Sequence, residues 1–178
     1  FLKISNKNIY KNIILPRGWT FEDELKLFQN LKKIYHSIKK SKIISNFEIT
    51  PIFILGMPRS GTTLVENILS QSDCVQPTGE NGFILNQISE EIPNIKKSSI
   101  EDSTLISKIN SDLIFKYFDF LSPKKKYFTD KTPLNFLAIG IIKILIPNSK
   151  IIYCKRNMND NLLSMFQQFF HSYSFDFS

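Results

Sequence analysis

The chain has 178 residues, 42% of them hydrophobic, 13% aromatic and 22% charged, enough apolar material for one buried core and too much for a disordered or collagen-like chain. Lysine and arginine outnumber aspartate and glutamate 23 to 16, a net +7, which favours an anionic partner. Because the lysines form no stripe interleaved with aromatics, nucleic acid is not expected.

Residues 1–19 read as a lead-in ending at Pro16, Arg17, Gly18 and Trp19. Thr20 can cap a helix whose Phe21, Leu25, Phe28, Leu31, Tyr35 and Ile38 recur at helical spacing, closed by Lys39, Lys40 and Lys42. The run 51–55 (PIFIL) is of buried-strand type, and a helix is expected over 62–70. Further helices are expected over 80–91 and 103–121, with a polar loop at 93–99 between them. A short strand at 126–129 leads into a helix from Pro133 to Ile146, because Pro suits a first helical turn. A second buried strand at 150–154 and a helix over 157–170 complete the pattern. Strands alternating with helices predict an α/β fold, a parallel sheet covered by helices on both faces.

No apolar run reaches the ~18 to 20 residues of a membrane helix; the longest, 134–146, is short and carries Lys143. The start at Phe1 without a signal-like apolar region is read as a fragment lacking its natural beginning, with a cytoplasmic location expected. Cys74 and Cys154 stand too far apart for a C-x-x-C pair and are expected to be packed thiols.

The strongest signal is Gly56-Met57-Pro58-Arg59-Ser60-Gly61-Thr62-Thr63, between a buried strand and a helix. A loop in that setting turns backbone N–H groups and the positive helix end toward one point, an anion cradle. The G-x-x-x-x-G spacing matches the Walker loop of nucleotide triphosphatases, but Thr62 stands where those enzymes carry Lys. The substitute cation is Arg59, inside the loop. The second strand ends in Lys155-Arg156, where a Walker-B strand ends in an acid that holds magnesium, and this argues against a metal. Of three arginines in the chain, two fall in these segments, and the guanidinium fork suits phosphate and sulfate oxygens.

Residues 57–63 (MPRSGTT) resemble the 5′-phosphosulfate loop of sulfotransferases that use 3′-phosphoadenosine 5′-phosphosulfate (PAPS), in particular the tyrosylprotein-sulfotransferase and bacterial TPR-linked branch. The resemblance covers roughly residues 50–178. It implies that Ser60, Gly61, Thr62 and Thr63 join Arg59 in holding the 5′-phosphate, and that Arg156 with Ser164, eight residues on, holds the 3′-phosphate. It also implies Glu80 as catalytic base and Lys131, in D-K-x-P, as an aid to transfer. The division expected is a lead-in and helix over 1–49 and a P-loop-type domain over 50–178, truncated at its C-terminal side.

The expected reaction is metal-independent in-line transfer of a sulfuryl group from PAPS to a hydroxyl of a peptide, carbohydrate or small molecule. Arg59, Lys131 and the loop amides would stabilise charge on the leaving oxygen. A carboxylate such as Glu80 serves as base when burial raises its pKa toward neutrality. Each role has a plainer rival: Glu80 as a residue at a helix start, Lys131 as a surface lysine, Arg156 paired with Asp160 at i,i+4 spacing. His36 and His171 are read as surface residues, and Trp19 with the many phenylalanines as core. The competing functions are a P-loop kinase or nucleotide hydrolase, and a nucleotide-binding module without turnover.

Overall fold

In a computed structural model the described residues are 48–88 and 113–168, together with Ile4 and eight positions between 25 and 36. Arg17, Trp19, the loop at 93–99, the first part of the helix expected over 103–121, and His171 lie outside them.

Four strands, β1 (Thr50–Gly56), β2 (Val75–Gln76), β3 (Tyr127–Asp130) and β4 (Lys150–Cys154), form one sheet in the order β2-β3-β1-β4. All three pairings are parallel; Phe53 sits opposite Asp130 on one side and Ile151 on the other. The eight described positions between 25 and 36 are helical, and after them come α1 (Thr62–Leu69), α2 (83–88), α3 (113–121), α4 (Ile139–Leu145) and α5 (Met158–Phe166), with a 3₁₀ segment Pro133–Ala138 before α4.

Central β1 is buried from Pro51 to Gly56 because alternate side chains serve two layers. Phe53 and Leu55 face the larger core, with Phe128, Tyr117, Ile84 and Ile142. Ile52 and Ile54 face the other side, where Cys154 and the Val65 and Leu69 side chains of α1 pack. The apolar run at 51–55 thus fits an all-parallel sheet covered on both faces. Leu31 joins the larger core, and Gly140 of α4 lets Tyr35 approach so closely that a Cβ there would stand 2.6 Å from its ring. His36 is exposed, as expected.

Several local expectations are corrected. β2, only two residues long, carries no periodic signal and was not foreseen. Helix α2 begins at 83 rather than 80, since Gly79 and Gly82 take positive φ of 68° and 63° and Asn81 Oδ1 caps the Phe83 N–H. The helix expected from Pro133 is split at Ala138, its first part tightened to 3₁₀ by hydrogen bonds around Asn135. Cys74 is exposed, with Sγ 3.0 Å from Ser72 Oγ, while Cys154 is buried as expected and burial pushes its thiol pKa up. Phe115 and Phe120 are exposed rather than core.

Candidate active site

In a parallel sheet every strand delivers its following loop to the same edge. Here the segments after β1, β2, β3 and β4 frame a cleft of about 680 Å³. It is lined by the run from Pro58 to Thr63, by Glu80, by Thr132, Pro133 and Leu134, and by Arg156.

The loop is built for close approach. At Gly56 (φ 155°) an added Cβ would stand 2.5 Å from both the Cys154 carbonyl O and Ser60 Oγ. The Ser60 N–H donates to Met57 O at 3.1 Å, closing a turn with Pro58 and Arg59 at its centre, and Arg59 takes φ 68°. Positive φ at the third position of such a turn ordinarily favours Gly. Asn161 Nδ2 of α5 holds the strained turn from behind, donating to Pro58 O at 2.8 Å. Gly61 is the N-cap of α1, with no side chain capping it. The first α-type bond runs from Val65 N to Gly61 O, so the Thr62, Thr63 and Leu64 amides precede it. By contrast, the start of α5 is closed by its own Asn157 side chain, which accepts from Asn159 N and Asp160 N. Of these two helix starts, α1 presents its amides and positive pole to the cleft.

The two basic segments meet. Arg59 Nε donates to Ser164 Oγ at 3.2 Å, and Arg156 Nη1 reaches the Arg59 carbonyl O at 3.4 Å. Arg156 therefore turns toward the loop. Arg59, Ser60, Gly61, Thr62, Thr63, Glu80 and Arg156 all line the cleft, whereas Ser164 joins through Arg59.

Glu80 and Lys131 form an ion pair, Nζ to Oε1 2.8 Å. The Lys131 side chain is 11% exposed and that of Glu80 57%, so Lys131 is not a surface lysine and Glu80 is not buried as the sequence-based argument required. Nor does Glu80 begin a helix; it follows Gly79, whose carbonyl accepts the Lys131 N–H at 3.0 Å.

Beneath Lys131 lies a polar hub that sequence reasoning missed. Asp130, fully buried, accepts from Tyr117 O–H at 2.8 Å, and from Asn135 Nδ2 and Thr132 N at 3.2 Å each. Burial raises its carboxyl pKa, and hydrogen bonds from Thr132 and Tyr117 oppose the rise. Burial and Asp130 together push the Tyr117 hydroxyl pKa well up. Asn161 was also missed; the available signal was a polar residue five positions after Arg156, on the helix face that must meet the loop. Among the described residues no group of three His, Cys, Asp or Glu side chains stands together as a metal site would need, and no helix is long and apolar enough to cross a membrane.

Fold and cleft define an α/β domain with a glycine-bounded loop, carrying Arg59, at the carboxyl edge of its parallel sheet. A family model described as the sulfotransferase family matches residues 51–178, and the chain belongs to that family. It is 38% identical over 130 residues to an uncharacterised protein of Aquifex aeolicus (strain VF5), an alignment covering 67% of this chain and 17% of that protein. It is 31% identical over 133 residues to a Caenorhabditis briggsae protein provisionally named a protein-tyrosine sulfotransferase, covering 71% of this chain and 46% of the relative. The chain thus spans less than half the length of either relative.

Proposed function

We propose that the protein transfers a sulfuryl group from PAPS to a hydroxyl acceptor. The observation that supports this most is that the Arg59 loop, Arg156 and Glu80 line one cleft, with Ser164 bonded to Arg59 and Lys131 bonded to Glu80. The residues fit a nucleotide with an anionic group at each end. Ser60 Oγ is buried without a hydrogen-bond partner, the α1 amides have no side-chain cap, and Arg59 and Arg156 supply planar cationic forks.

Ser60, Gly61, Thr62 and Thr63 would bind the 5′-phosphate end together with Arg59, and Arg156 with Ser164 the 3′-phosphate. Bound PAPS supplies an activated sulfuryl group, with adenosine 3′,5′-bisphosphate as the leaving group. Lys131 donates toward the oxygen on which charge builds, and Arg59 with the α1 amides shares that task. Glu80, exposed to the cleft, accepts the acceptor's hydroxyl proton as the new bond forms. Before that step the 2.8 Å contact with Lys131 Nζ keeps the carboxylate aimed.

The test is incubation of the intact protein with labelled PAPS and a panel of phenolic, carbohydrate and aliphatic hydroxyl acceptors, alongside calorimetry with adenosine 3′,5′-bisphosphate. Label transfer to one class is expected. Bisphosphate binding without transfer to any acceptor would leave a nucleotide-binding module, and absence of binding would end the proposal.

A further inference from the structure

Glu66 has no part in the chemistry described above, yet it is 6% exposed in the middle of α1. It stands one turn after Thr62, on the same helix face, directly behind the loop. A buried carboxylate is expensive unless hydrogen bonds hold it. Its Oε1 accepts two: from Thr129 Oγ1 at 2.6 Å and from the Gly79 N–H at 3.1 Å. Each donor immediately precedes, or lies two positions before, one half of the Glu80–Lys131 pair.

The remaining bonds close the frame. Thr129 Oγ1 accepts from Thr78 N at 3.3 Å, the Thr78 hydroxyl donates to Thr129 O, and Lys131 N donates to Gly79 O at 3.0 Å. Segments 78–80 and 129–131 are thus sewn together, and Glu66 fastens both to the helix that begins in the phosphate loop. We infer that Glu66 is a positioning residue, which sets the place of Glu80 and Lys131 relative to the anion cradle through Gly79 and Thr129. The inference rests on the sulfuryl-transfer reading for its catalytic consequence and on geometry alone for the brace.

The brace is tested by hydrogen exchange at the Gly79 amide of the intact protein. Glu66→Ala should speed exchange there by about tenfold or more, while Glu66→Gln, which keeps the accepting oxygen, should leave it near native. Unchanged exchange in Glu66→Ala would overturn the inference whatever the activity proves to be. The consequence is tested by kinetics. Glu66→Ala should lower kcat roughly 10- to 100-fold, as small misplacements of reacting groups do, with adenosine 3′,5′-bisphosphate affinity within about threefold of native and Glu66→Gln restoring turnover. In a Glu80→Gln background the same Glu66→Ala change should cost less than about threefold, because residues acting through one another are not additive. Full additivity would reduce Glu66 to a structural side chain. Should Glu66→Ala fail to fold, Thr129→Val, which removes one of the two donors, carries the same kinetic expectations at smaller size, and native kcat in that variant would overturn the role.

Discussion

Arg59 Nε lies 3.2 Å from Ser164 Oγ, joining the loop after β1 to a helix 105 residues further on. That contact ties the loop after β1 and helix α5 into one unit. Arg59→Ala should weaken adenosine 3′,5′-bisphosphate binding about tenfold or more, the worth of a charge-assisted bond. Ser164→Ala should weaken it about three- to tenfold, as for a neutral donor. Calorimetry decides, and native affinity in both variants would separate the two segments functionally.

The Glu80–Lys131 pair at 2.8 Å predicts a division between binding and turnover. Glu80→Gln should keep bisphosphate affinity and lose about 100-fold or more in kcat, the usual scale for a missing general base. Lys131→Met should lose about 100-fold through the missing donor at the leaving oxygen. Equal losses in affinity and turnover would place both residues in donor binding instead.

Gly56 is a stability prediction. Its φ of 155° and the 2.5 Å approach a Cβ would make to the Cys154 carbonyl require the chain to shift on substitution. Gly56→Ala should therefore destabilise by about 2 kcal/mol or more, read by chemical denaturation, and should distort the loop enough to weaken anion binding. A variant as stable as the native protein would contradict the packing described.

Asp130 predicts a pH dependence. Burial lifts its carboxyl above the unfolded value of 3.8, so between the two values the folded chain binds more protons than the unfolded one. The stability this group contributes is full below the unfolded pKa and is lost as pH rises through the folded pKa. Asp130→Asn removes that slope while disturbing the bonds from Tyr117 and Asn135. Its deficit against the native protein should be largest near about pH 4 and shrink toward about pH 7. A deficit that grows toward neutrality would reverse the assigned sign.

How much was legible in the sequence follows the distance over which each signal acts. The loop, its replacement of a Walker lysine by Thr62 and its internal Arg59 all fall within eight consecutive positions, so strand, loop and helix could be read from neighbours alone. The larger strands were legible for the same reason, since burial on both faces leaves an unbroken apolar run in β1. β2 was not, because two residues support no period. The 3₁₀ segment from Pro133 escaped because Asp130, which holds Thr132 and Asn135 there, is itself buried under Tyr117 of α3, a partner no local period reveals.

The sequence by itself determined the α/β order, the glycine-bounded loop after β1 and the residue types gathered around it, through conformational and charge preferences that act between near neighbours. Only the tertiary structure decided that Lys131 pairs with Glu80, that Arg59 meets Ser164, and that Glu66 of α1 accepts from both Gly79 and Thr129. Those contacts depend on the order β2-β3-β1-β4 and on which edge its loops share, and desolvation at that edge selects hydrogen-bond partners that no stretch of neighbouring residues contains.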